Sequence, residues 1–280
     1  MYIRRFILFF CLIISLIAPL ILFANELIVK GGISIHEISE KQFYRDLSHD
    51  GVKLATYNHN NKYYLLYGIP YHSQIGRTSL QIKDDLEYFD IKFDIKKKDF
   101  KTQYIQVAKK YITPDKNDFK RIKKERLKKL KAKSFWYENN IDLNFVLPVK
   151  GVLTGEFGTR RFYNNKEGRF HNGIDIAAKK GTLISAPSAG KVILTGDYYY
   201  NGKFVYLDHG KGLKSIFIHL DKILVKNGQL IKKGDFIGKV GSTGVSTGPH
   251  LHWSVTLNNA YINPLILTDK ALIRHFSLER

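Results

Sequence analysis

A chain of 280 residues has room for two ordinary domains. Its 44% apolar fraction, with 17 Tyr and 18 Phe, excludes a mainly disordered polymer and leans toward strands. The formal charge of +20 points to an anionic partner, and a single cysteine, Cys11, excludes a disulfide framework and a thiolate metal site.

Arg4-Arg5 precede an uncharged run from Phe6 to Ala24, which reads as an export signal (residues 1–24) cleaved near Ala24. The run is also close to the roughly 20 residues that span a bilayer, so an inner-membrane tether formed by residues 6–24 is the alternative. The expected location is the periplasm or cell envelope. Cys11 lies within this segment, so any metal site in the mature chain must be built from His and carboxylate. An exported basic protein meets anionic wall polymers, phospholipid headgroups and lipopolysaccharide, and no nucleic-acid partner is expected.

Residues 25–112 read as short strands. Glu26–Val29 ends at Gly31-Gly32, Asn58-His59-Asn60-Asn61 separates two Tyr- and Leu-rich runs as a hairpin turn would, and Phe89–Ile95 alternates strictly. A small β-sandwich or barrel is expected. His36, His49, His59 and His72 have no ligand-like spacing and are expected to be structural or exposed.

Thr113-Pro114-Asp115 opens a basic helical linker (113–140) with Phe119, Ile122, Leu127 and Leu130 at helical spacing. That apolar stripe is expected to pack on a domain. The competing use is contact with an anionic wall or membrane surface. Residues 141–266 form a second all-β region, punctuated by turns such as Asp208-His209-Gly210 and Lys233-Gly234-Asp235. The tail, 267–280, gives no clear signal, and His275 within it is expected to be exposed.

Two histidine clusters stand out in the second region, His171-Asn172-Gly173-Ile174-Asp175 and His250-Leu251-His252. On a strand, residues two apart share a face, so His250 and His252 would stand side by side. Asn172-Gly173 favours a turn that folds His171 and Asp175 toward a common point. Hydrolytic zinc sites commonly take three protein ligands and leave a fourth position for water. His171, Asp175 and one histidine of the pair supply three, leaving the other histidine beside the metal. Phe217-Ile218-His219-Leu220 places a further imidazole in an apolar strand. Taken alone His219 would be a satisfied core residue, but its company reverses that reading. His209 is expected to be structural, and Arg160 and Arg161 are placed to meet a substrate carboxylate.

The stretch from Val149 to Pro264 resembles the lysostaphin/LytM-like zinc metallopeptidases, which cleave peptidoglycan peptides. The matching segments are His171–Ala177, Gly181-Thr182 with Ala186–Gly190, Leu207–Gly210, Ile218-His219-Leu220, Gly228-Gln229 with Lys233-Gly234, and Gly241–Gly244 through Thr247–His252. Trp253 departs from the commoner Phe. The resemblance implies a lysostaphin-like β-sheet peptidase domain and one zinc ion per chain, held by His171, Asp175 and His252, with His219 and His250 flanking the bound water and the scissile carbonyl. It implies hydrolysis of peptide cross-links between peptidoglycan stem peptides, a D,D-endopeptidase activity with D,D-carboxypeptidase activity on free stems, in cell-wall remodelling. The alternative is a non-catalytic regulator that activates another wall hydrolase, which predicts lost ligands. A lipoyl or biotinyl carrier, suggested by Gly228–Asp235 and Lys270, is set aside because no second half follows that lysine. The fold class expected from all of this is all-β, with an N-terminal sandwich joined by a basic helix to the peptidase domain.

Overall fold

A computed structural model describes residues 27–85, 87–268 and 272; the segment expected to be an export signal, with Cys11, and His275 lie outside the described residues. The N-terminal part contains β1 (Ile33–Ile38), β2 (Ser48–His49), β3 (Val52–Lys53), β4 (Ala55–His59), β5 (Lys62–Gly68), β6 (Gly76–Lys83) and β7 (Tyr88–Ile95). They form two sheets, ordered β1-β5-β4 and β3-β2-β6-β7. Asn60 and Asn61 both hold positive φ, 51° and 60°, which is the type I′ geometry that lets β4 and β5 twist together. The alternation in β7 resolves as expected: Ile91, Phe93 and Ile95 are buried while Asp90, Lys92 and Asp94 face solvent. Together with Leu80 and Ile82 of the neighbouring β6 they pack in one buried cluster with Leu65 of the other sheet, so the unit is a sandwich.

One strand does not stay with the sandwich. After β8 (Thr102–Ile105) the chain continues through β9 (Val152–Gly155), β10 (Arg160–Tyr163), β11 (Lys166–Glu167), β12 (Ile174–Ala177), β13 (Leu183–Ser185) and β14 (Gly190–Tyr198). It then forms β15 (Gly202–Gly210), β16 (Leu213–Ile223), β17 (Leu230–Ile231), β18 (Phe236–Val240), β19 (His250–Leu257) and β20 (Ala260–Ile262). The spine of the C-terminal sheet runs β17-β14-β15-β16-β19-β12-β9. β8 pairs in parallel with β10, with Gln103 opposite Arg161, and so completes a small sheet ordered β11-β10-β8.

The two halves share one core. Ile33, Ala55, Tyr64 and Leu66 from the sandwich pack in the same buried cluster as Leu213, Phe217, Trp253, Val255, Leu257 and Ile262. At Gly68 a Cβ would lie 2.6 Å from Leu257 O, so only glycine permits this approach of the two sheets.

The basic helix, α1, spans Lys116–Lys133 and is capped by Asp115, whose side chain accepts from Asn117 N and Asp118 N. Its inner face is a correction to the expected packing. The residues it buries are Glu125 and Ala132, whereas Phe119, Leu127 and Leu130 are 58%, 61% and 50% exposed. Polar anchoring sets this orientation: Glu125 accepts from Tyr199 N at 3.0 Å and from Arg121 Nε at 2.7 Å, and Arg121 reaches Asp197 O. At the other end the buried Lys214 donates to Lys133 O at 2.6 Å, capping the helix C-terminus with a cation.

Asp208-His209-Gly210, read from sequence as a turn, ends strand β15 instead; the turn follows at Lys211 and Gly212, both at positive φ. His209 is structural, as expected. It is buried, with Nδ1 on Ala189 O and Nε2 on Ser215 Oγ, both at 2.8 Å.

Candidate metal centre

The central strands of the C-terminal sheet bring both histidine clusters to one place. β12 runs antiparallel to β19 with Asp175 directly opposite His252, and β16 flanks β19 with Ile218 opposite His252. His171 sits in the loop before β12. That loop lies close against β19, since at Gly173 a Cβ would be 2.4 Å from Trp253 O.

His171 Nε2 is 3.0 Å from Asp175 Oδ1, His252 Nδ1 is 2.7 Å from the same oxygen, and the two ring nitrogens are 2.9 Å apart. These three donor atoms lie within 4.8 Å of one another and all three residues are buried.

The outer contacts fix the tautomers. A carbonyl can only accept, so His171 Nδ1–H donates to Glu156 O at 2.8 Å, leaving Nε2 bare. Ser254 Oγ donates to Asn172 Oδ1 at 3.2 Å and is thereby free to accept from His252 Nε2–H at 2.7 Å, leaving Nδ1 bare. Two imidazole lone pairs and a carboxylate thus converge with no proton of their own between them. Such a donor set is complementary to a cation, and His₂-carboxylate is a set that zinc accepts.

The local electrostatics agree. Burial pushes the Asp175 carboxyl up, but the His171 and His252 rings held against Oδ1 outweigh it and keep the group far below the usual carboxylate range. His252 is lowered to about 4 by burial, against the pull of Asp175. Both groups therefore stay in the ligating form at neutral pH.

His219 and His250 stand beside this cluster, with ring centroids 4.9 Å apart, and His219 is 6.3 Å from the His252 ring. His250 Nε2 lies 3.8 Å from Asp175 Oδ1. His219 Nδ1 donates to Thr243 O at 2.7 Å and His250 Nδ1 to Gly248 O at 2.8 Å, so each presents a bare Nε2. Burial first, then the neighbouring His252 and His250, lowers His219 to about 3.

The backbone at His219 is strained. Its φ is 66° in the middle of a strand, at a point where the β15–β16 register shifts between Lys203 and Val205. A bulge of this kind re-aims one side chain, and strain held at a single imidazole in a histidine cluster points to function.

Arg161 does not stand free for a substrate. Its Nη2 donates to Asp175 Oδ2 at 2.6 Å, whereas Arg160 is exposed and pairs with Glu167 at 2.8 Å. The outer partners Glu156 O, Ser254 and Asn172 were not legible in sequence, because each acts through a contact that only the folded sheet creates. His36, His49, His59 and His72 belong to none of this, in keeping with the structural or exposed roles expected for them.

The family model for peptidase family M23 matches residues 169–264, which contain all five of these side chains. A crystal structure assigned to peptidase M23 from Pseudomonas aeruginosa superposes with a TM-score of 0.72 at 33% identity, covering 88% of this chain and 98% of that one. The chain belongs to peptidase family M23. Among curated M23 relatives, the peptidoglycan DD-endopeptidase ShyB of Vibrio cholerae is 41% identical over 95 residues, covering 34% of this chain and 22% of that protein. The DD-carboxypeptidase/endopeptidase Mpg of Neisseria meningitidis is 35% identical over 113 residues, covering 40% of this chain and 26% of that protein. The match thus spans only about a quarter of the length of these curated relatives.

Proposed function

We propose that this M23 peptidase is a zinc-dependent peptidoglycan hydrolase that cleaves peptide cross-links as a D,D-endopeptidase, with D,D-carboxypeptidase activity on free stem peptides. The observation that carries this reading is the convergence of the bare His171 Nε2, His252 Nδ1 and Asp175 Oδ1, with His219 and His250 alongside. The named activities of the Vibrio and Neisseria relatives support the substrate class.

In this reading His171, Asp175 and His252 hold one zinc ion. When bound there, zinc supplies a Lewis acid for the scissile carbonyl and lowers the pKa of water toward about 7. The bare Nε2 of His219 or His250 takes the proton from the attacking water, since both rings have committed Nδ1–H to a carbonyl. The protonated ring then donates from Nε2 to the leaving amine. The competing reading, a regulator without activity, requires a lost donor, and no donor is lost. The test is conversion of purified cross-linked muropeptide dimers to monomers. A protein that leaves dimers intact but stimulates a second wall hydrolase would establish the regulator instead.

The proposed location is the cell envelope, supported by Arg4-Arg5 and the uncharged run Phe6–Ala24. An anionic bilayer or wall surface is the proposed second partner. Its support is the outward side of α1, where Phe119, Leu127 and Leu130 are exposed among Lys116, Lys120, Lys123, Arg126 and Lys131.

A further inference from the structure

Asp175 presents one carboxylate oxygen to the two imidazoles and the other to a clamp that begins in the N-terminal half. Arg161 Nη2 donates to Asp175 Oδ2 at 2.6 Å, and its Nε donates to Gln103 Oε1 at 3.1 Å. Nε–H and one Nη2–H share an edge of the planar guanidinium, so Gln103 sets the rotation at which Nη2 meets the carboxylate. The backbone supports the arrangement. Gln103 and Arg161 are register partners in the parallel β8–β10 ladder, and at Gly155 a Cβ would lie 2.5 Å from Oδ2 and 3.0 Å from Nη2. The Arg161 and Asp175 side chains are only 12% and 11% exposed, so the pair is sheltered from water.

We propose that Gln103 and Arg161 are positioning residues for the metal ligand Asp175, so that β8 makes the N-terminal half part of the metal centre. The inference rests on the metal-peptidase reading above. Holding Oδ2 on Arg161 leaves Asp175 a one-oxygen ligand and keeps a coordination position for water, which a catalytic site requires. Charge alone would not place a guanidinium here, because one cation beside another weakens binding. The two explanations therefore predict opposite signs when the arginine is removed.

The test measures zinc affinity of the full chain by competition with a coloured chelator, alongside thermal melting of the metal-free proteins. Arg161→Met is expected to weaken zinc binding by about 10- to 100-fold, the usual cost of losing an outer partner of a ligand. Gln103→Met changes no charge and is expected to weaken it by about 10-fold while the metal-free melting temperature stays at the wild-type value. Gln103→Glu keeps an oxygen acceptor for Arg161 Nε and is expected to restore affinity. Tighter binding in Arg161→Met, or Gln103→Met within twofold of wild type, overturns the positioning role. A wild-type protein that takes up no zinc overturns the metal-centre reading itself.

Discussion

At the scale of single residues, the five side chains divide by what their ring nitrogens touch. His171 and His252 turn bare nitrogens toward Asp175, while His219 and His250 turn bare nitrogens toward the space beside it. His219→Ala is accordingly expected to keep its zinc and lose about 10²- to 10⁴-fold in turnover, as checked by metal content and muropeptide release. His209 carries a pH prediction of a different kind. Burial lowers it from 6.5 to about 4, so between those values the unfolded chain binds a proton that the folded chain refuses. Stability therefore falls as pH falls through that window, by on the order of 3 kcal/mol from this residue. Asp208 beside it is raised by burial from 3.8 to about 6 and acts in the opposite sense. His209→Gln is expected to reduce proton uptake on unfolding by about one between pH 6.5 and pH 4, and an unchanged pH slope in denaturant titrations counts against this. The histidines themselves were legible because their spacing reports strand geometry. Arg161 was misread as a substrate contact, since its acid partner is 14 residues away in sequence and adjacent only once β12 lies against β9.

At the scale of elements, strand periodicity in β7 and the Asn-Asn turn between β4 and β5 could be read directly, because local sequence alone decides both. The helix was equally visible, but its orientation was not. Hydrophobic spacing predicted that Phe119, Ile122, Leu127 and Leu130 would pack inward; Ile122 is half-buried, whereas the buried Glu125 and its bond to Tyr199 N leave the other three turned outward. Replacing those three by serine is therefore expected to change folding stability by no more than about 0.5 kcal/mol per site, the range of exposed substitutions. The same variant is expected to lose binding to vesicles containing anionic phospholipid, measured by co-sedimentation. Retained vesicle binding would remove the support that this helix gives to the surface partner. The parallel pairing of β8 with β10 had no sequence signal at all, because it joins segments more than 50 residues apart and neither strand alternates clearly.

At the scale of the whole molecule, the N-terminal sandwich is built into the peptidase half. Tyr64 and Leu66 enter the same buried cluster as Leu257 and Ile262, Tyr71 stacks on Phe170 with ring centroids 3.9 Å apart next to His171, and β8 completes the β10 sheet. A fragment beginning at residue 113 would expose this shared core to water and is expected to lose its cooperative thermal transition. A sharp transition in that fragment would show the sandwich to be dispensable for folding. The proposed mechanism assigns metal binding to one set of side chains and proton transfer to another. Its most direct test compares zinc content and muropeptide release for the protein from residue 26 onward with those of His252→Ala and His219→Ala. Wild type is expected to hold about one zinc and convert dimers to monomers, His252→Ala to lose both, and His219→Ala to keep zinc without turnover. Zinc-loaded wild type that releases nothing, or a His252→Ala variant that keeps metal and activity, contradicts the mechanism.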